Sequence, residues 1–179
     1  MAAPVADVTS ETQDFEAFVR QWLTAQLRYA TALSGDPHLA ADIVQDVLVR
    51  AHSRWRHIGA ADRPDLYVKR MITNEYLSWR RRWHVRNIVP ASLAALQSHH
   101  PITADSAQQI VDRDDLLHRL AALPRRQRAV LVLRFYEGLA DREIAEMLGV
   151  APGTVRSTAS RALAALRPAT TTPGSTDET

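Results

Sequence analysis

The sequence predicts an all-α protein made of two small helical domains joined by a flexible linker. Three observations support this. Apolar residues recur at steps of three and four through most of the chain, which is the period of an amphipathic helix. That pattern lapses between residues 84 and 111. Near the C-terminal end, Leu139 to Leu166 reads as two short helices around a glycine turn. With 179 residues and 46% hydrophobic composition, the chain is long enough to give each of two small domains a core. The expected boundaries are a disordered leader at 1–12, a first domain at 13–84, a linker at 85–111, a second domain at 112–168 and a disordered tail at 169–179.

In chain order, residues 1–12 are small and polar, without a period. From Asp14, the spacing of Phe15, Phe18, Val19, Trp22, Leu23, Leu27 and Ala30 predicts a helix ending near Ser34 and Gly35. Asp36 then serves as N-cap for a second helix with Pro37 at its first position, where the missing amide is not needed. This helix, to about Trp55, buries Ala40, Ile43, Val44, Val47, Ala51 and Trp55 and exposes Asp42, Gln45, Asp46 and Arg50. Asp42 and Asp46 are four apart and share a face. A solvated helix face is the usual reason for such charges.

A polar loop, His57 to Arg63, leads to Pro64, which opens a third helix running to about Trp83. Its apolar and aromatic residues, Leu66, Tyr67, Met71, Ile72, Tyr76, Leu77 and Trp79, are too many for one buried stripe. They are interleaved with Lys69, Arg70, Arg80, Arg81, Arg82 and Arg86. Cations for phosphates beside aromatic faces for bases suit unpaired nucleic acid. An aromatic core with a basic helix end would give the same list, since cations are favoured at a helix C-terminus. Residues 84 to 111 are punctuated by Pro90, Ser92, Ser98, Pro101 and Thr103 and read as a linker.

The second domain opens near Asp112 with a short helix carrying Leu116, Leu117, Leu120 and Leu123, broken by Pro124. A further helix from Gln127 to Tyr136 ends at Gly138. Asp141 to Leu148 then turns Ile144, Ala145 and Leu148 inward, and Gly149 stops it in a corner that suits positive φ. Thr154 is the expected N-cap of the last helix, which buries Val155, Ala159, Ala162, Leu163 and Leu166 and exposes Arg156, Ser157, Ser160 and Arg161. This is a helix-turn-helix whose second helix offers the polar, cationic face that a major groove requires. A purely structural helical hairpin is the alternative. The tail ATTTPGSTDET has no capacity for a core.

Charge is unevenly distributed. Residues 1–46 hold seven acidic groups against two arginines, and residues 50–86 hold ten basic groups against three acidic. Such asymmetry suits one surface for a polyanion and another for a basic partner. Of 22 cationic residues, Lys69 alone is a lysine, and arginine forks suit phosphates and base edges.

Several classes are disfavoured. There is no apolar run near the roughly 20 residues needed to span a bilayer, and the N-terminus has no export pattern, so neither membrane insertion nor export is expected. With no cysteine, disulfides and thiolate metal sites are excluded. His99 and His100 lack a carboxylate at ligand spacing. Asp42 and Asp46 have no third ligand or phosphate loop beside them, which weighs against a nucleic-acid enzyme. No metal, cofactor or catalytic residue is expected.

Three stretches together resemble the extracytoplasmic-function class of the bacterial sigma-70 family, of the actinobacterial SigE-like type: GDPHLAADIVQDVLVRAHSRW, DRPDLYVKRMITNEYLSWRRRW and LPRRQRAVLVLRFYEGLADREIAEMLGVAPGTVRSTASRALAAL. The resemblance implies a cytoplasmic RNA polymerase sigma factor, not an enzyme, with a region 2 and a region 4 domain. It implies as partners core RNA polymerase, through the β′ clamp helices and the β flap, promoter DNA, and an anti-sigma factor. Asp42, Gln45, Asp46 and Arg50 become the clamp-docking face. Tyr67, Asn74, Tyr76 and Trp79 become candidates to hold an unstacked minus-10 base, with Lys69, Arg70, Arg80, Arg81 and Arg82 on the backbone. For the minus-35 element, Arg156 and Arg161 are candidates for guanine, and Thr154, Ser157, Thr158 and Ser160 for phosphates. The family commonly has a basic residue where Thr158 stands and a leucine where Ala159 stands, which implies weaker phosphate holding and looser packing of this helix. The competing reading is a helix-turn-helix regulator with an N-terminal sensing or dimerisation domain.

Overall fold

The computed structural model describes residues 5–83 and 119–167, with side chains placed at 11–78 and 119–167. The helices are α1 (Val5–Ser34), α2 (Pro37–His52), α3 (Trp55–Ile58), α4 (Pro64–Trp83), α5 (Arg125–Leu131), α6 (Asp141–Leu148) and α7 (Pro152–Leu166). Residues 119–122 are also helical, and no strand occurs among the described residues. The expected linker and tail lie outside them.

α1 begins at Val5, earlier than the apolar pattern predicts. Extending an existing helix is far easier than nucleating one, so residues 5–12 continue it without an apolar stripe of their own. Glu11 also reaches Arg56 at 3.9 Å. α1 ends at Gly35, whose φ of 73° lets its N–H return to Thr31 O at 2.8 Å. Asp36 caps α2 as expected, its Oδ1 accepting from the amides of His38 at 2.8 Å and Leu39 at 3.3 Å.

α2 stops at His52 rather than running to Trp55. Trp55 instead opens α3 and packs its ring 5.1 Å from Phe15 and 4.8 Å from Phe18, centroid to centroid, closing α3 onto α1. The first domain packs α1 against both α2 and α4, with Leu33, Ile43, Val47, Ile58, Val68 and Ile72 wholly buried between them. Two polar ties cross that core. The hydroxyls of Tyr29 and Thr73 are 2.6 Å apart, and Thr73 Oγ1 also donates to Lys69 O at 2.8 Å. Gln26 Nε2 donates to Asp65 O at 3.3 Å. Burial raises the Tyr29 phenol well above its ordinary value, so it stays protonated and available as a donor.

The second domain packs α7 across α5 and α6. α5 leaves α-helical geometry at Val132 and finishes in one wider π-helical turn, Val132–Tyr136, in which Glu137 N donates to Val132 O at 3.1 Å. The expected single helix from Gln127 to Tyr136 is thus two geometries in series. The turn leaves Phe135 and Tyr136 exposed while Leu133 stays buried.

The two domains pack on each other. Arg128 of α5, 7% exposed, sends its Nη1 to the terminal carbonyls of α1, Leu33 O at 3.2 Å and Ser34 O at 3.0 Å. Its Nη2 donates to the carbonyls of Ala121 and, at 3.4 Å, Leu123. Arg125 donates to Tyr76 O at 3.1 Å, and Lys69 pairs with Glu137.

Candidate nucleic-acid and polymerase interfaces

The helix-turn-helix forms as its spacing predicts. Arg134 meets Asp141 at 3.3 Å ahead of α6, and Glu143 Oε2 accepts from Ala140 N at 2.8 Å, satisfying one of the free amides at the start of that helix. Gly149 ends α6 with φ 64°. α7 then starts at Pro152 with Ala151 as N-cap, so Thr154 lies inside the first turn and does not cap it. Pro152 at the first helical position supplies the pre-set φ that makes the earlier start favourable.

On α7, Thr154, Arg156, Ser157, Ser160 and Arg161 are exposed. Arg161 Nε donates to Ser157 O at 3.2 Å, and Ser157 Oγ donates to Thr154 O at 3.1 Å, so the outer face is pre-arranged along the helix. Two expectations fail here. Thr158 is 7% exposed and belongs to the buried face with Val155, Ala159 and Ala162, whereas Leu163 is 42% exposed. Steps of three and four from Val155 lead to both Thr158 and Ala159, and the small threonine fits where the longer leucine turns outward.

On α4, Tyr67, Arg70 and Asn74 follow one another at three and four residues and share a face. Arg70 and Asn74 are exposed; Tyr67 is half-buried, its ring edge-on to His57 at 6.2 Å. Tyr76 is 1% exposed and so is not free to hold a base in this arrangement. Arg125 lies over its ring at 5.1 Å, and burial pushes its phenol up from the ordinary value. Lys69 is likewise occupied, by Glu137. Trp79, Arg80, Arg81 and Arg82 lie on the last turns of α4, and their side chains are outside the described residues.

On α2, Asp42, Gln45 and Asp46 are exposed on one stripe, as expected. Arg50 departs from that set in part. Its guanidinium turns to Glu75, whose side chain is 2% exposed, and so ties α2 to α4. Sequence reasoning missed Val49, seven residues after Asp42 and 67% exposed, which places an apolar residue at the end of the acidic stripe. Beside it runs an open apolar groove lined by Phe15, Leu23, Leu27, Val44 and Leu48. A lone exposed valine interrupting a helix's polar face was the available signal.

Comparison with known proteins decides between the two readings. Residues 14–85 match the Sigma-70 region 2 family and residues 113–166 the Sigma-70 region 4 family. An RNA polymerase sigma-E factor from Streptomyces avermitilis is 38% identical over 157 residues, covering 88% of this chain and 85% of that protein. An ECF RNA polymerase sigma factor, SigL, from Mycobacterium tuberculosis is 35% identical over 144 residues, covering 78% of this chain and 79% of that protein. The chain belongs to the extracytoplasmic-function sigma factors of the sigma-70 family.

In structure, this sigma factor is similar to the sigma factor RpoE of Bartonella quintana, solved in complex with the anti-sigma factor NepR, with a TM-score of 0.67, 25% identity, and coverage of 86% of this chain and 94% of that one. A regulator with a sensing domain would not place region 2 ahead of the helix-turn-helix, so that alternative falls. A sigma factor acts in transcription initiation with core RNA polymerase and promoter DNA, and the two domains described above are its region 2 and region 4. No helix among the described residues is long and apolar enough to cross a membrane.

Proposed function

We propose that this cytoplasmic sigma factor divides its work among three faces and makes or breaks no covalent bond itself. The α2 stripe of Asp42, Gln45 and Asp46, extended by Val49, docks on the β′ clamp helices, with Arg50 holding the stripe's helix to α4. An acidic face around an apolar residue suits a basic helical partner and speeds encounter with it. The α4 face of Tyr67, Arg70 and Asn74, with Trp79, Arg80, Arg81 and Arg82 further along the helix, holds the unpaired minus-10 strand. Lys69 and Tyr76 join it when they are uncovered. Arg156 and Arg161 on α7 read the minus-35 element, Thr154, Ser157 and Ser160 hold its phosphates, and Thr158 serves packing. Region 4 also meets the β flap, and an anti-sigma factor regulates the whole. Two weak DNA modules on one tether gain affinity from effective concentration.

The observation that carries this reading is the exposed Arg156–Arg161 face on a well-formed helix-turn-helix, in one chain with the exposed acidic stripe of α2. The test is run-off transcription with core RNA polymerase purified from the source organism, with and without the chain, on a library of upstream fragments. Promoter-specific transcripts that require the chain are expected. Absence of both transcripts and core binding would overturn the reading.

A further inference from the structure

The short helix α3 has no part in the division of labour above. Trp55 and Ile58 are buried on its inner side, and Arg54, Arg56 and His57 are exposed. Most cations around it are already engaged: Arg50 is held by Glu75, Arg63 lies 3.2 Å from Asp65, and Arg56 lies 3.9 Å from Glu11. Arg54 and Arg70 are exposed and have no acidic partner among the described residues. These two stand at either end of one row. His57 N donates to Arg54 O at 3.0 Å, so the two residues are one turn apart. The His57 ring is edge-on to Tyr67 at 6.2 Å, and Tyr67 and Arg70 are three residues apart on α4. The row runs cation, ring, ring, cation, and it crosses from one helix to the other.

We propose that α3 holds the unpaired strand where it leaves α4 toward the start site, with Arg54 on a phosphate and the His57 ring against a base. The proposal rests on the α4 reading given above and lengthens the track by one helix. The chain leaves α4 at Trp83 for region 4, whose minus-35 element lies upstream, so the Tyr67 end of α4 points downstream. An unpaired strand offers a phosphate at every step and a π-face on every base, and cations beside rings hold it without reading its sequence. Arg54 suits this role because no ion pair has to be broken first, whereas Arg50 and Arg63 would each have to give up a carboxylate. Trp55, packed on Phe15 and Phe18, anchors α3 from behind, so the strand meets a surface already in place.

The test uses holoenzyme assembled from the full-length chain and core polymerase, with two single-stranded oligonucleotides from a promoter found by run-off transcription. One ends at the minus-10 element, and the other continues a few nucleotides toward the start site. The longer strand should bind the wild type several-fold more tightly. Arg54→Ala should remove most of that gain while the affinities for the shorter strand and for core polymerase stay as they were. On the longer strand it should also lower the slope of log affinity against log salt by about 0.7, the amount for one phosphate contact on a single strand. His57→Ala should remove part of the gain and His57→Phe restore it. Arg56→Ala, on the Glu11 side of α3, should leave the gain intact. Four outcomes would each overturn the proposal: no gain in the wild type, a gain that survives Arg54→Ala, equal weakening of both strands by Arg54→Ala, or the same loss from Arg56→Ala. Arg70→Ala tests the reading beneath it and should weaken both strands. If it weakens neither, the α4 reading fails and the longer track falls with it.

Discussion

Arg50 and Glu75, twenty-five residues apart, join α2 to α4 through an ion pair whose carboxylate is buried and whose guanidinium is half exposed. The acidic stripe of α2 is thus held at a fixed angle to the helix that carries the minus-10 candidates. Arg50→Ala should destabilise the first domain by about 2 kcal/mol, the range for losing a hydrogen bond to a charged group. Urea unfolding followed by circular dichroism measures this. A loss of polymerase affinity with no change in stability would make Arg50 a docking residue only.

Replacing Asp42 and Asp46 together by arginine should weaken core polymerase binding at least about tenfold, roughly 1.4 kcal/mol, and leave the fold intact, because both side chains are exposed. Surface plasmon resonance against core polymerase reads the first effect and thermal unfolding the second. Unchanged affinity would remove these residues from the docking face.

Arg161→Ala should reduce minus-35 discrimination by about 1 to 3 kcal/mol if its guanidinium reaches a base edge. Its Nε is engaged with Ser157 O, so the rest of the fork is presented from an anchored stem. Competition binding with wild-type and mutated minus-35 duplexes should show the loss, while core polymerase binding stays unchanged. Equal weakening on all sequences would make Arg161 a phosphate contact.

Gly149→Ala should destabilise the second domain by about 1 kcal/mol through backbone conformation alone. The φ of 64° is unfavourable for a Cβ, yet nothing lies within 4 Å of where that Cβ would stand. Gly149→Asn, which tolerates this region better, should recover part of the loss in the same denaturant titration.

Much of this is legible in the sequence alone. Asp36 with Pro37 and the stop at Gly149 are local signals that a single turn of backbone decides, and both hold. Arg128 was not legible. Arg125, Arg126 and Arg128 look alike in LPRRQRAV, and only the arrival of the end of α1, more than ninety residues earlier, singles one out for burial. Tyr76 and Lys69 carry an aromatic ring and a cation that the sequence displays plainly, but their cover comes from the other domain, and no spacing within α4 encodes that. Thr158 differs in kind: its periodic position beside Val155 and Ala162 was visible, and preference for the more hydrophobic Leu163 hid it.

The wider turn at Val132–Tyr136 holds one residue more than an α-helix would place in the same span. Deleting any one of the five would hardly alter composition or hydrophobic content. The span would close instead as an ordinary α-helical turn, so the chain beyond it would keep its place while side chains inside the turn shift around the helix by about 100°, the angle each residue takes up. At this point the chain carries a residue that the length of the helix does not require, and what it supplies is the outward placing of Phe135 and Tyr136.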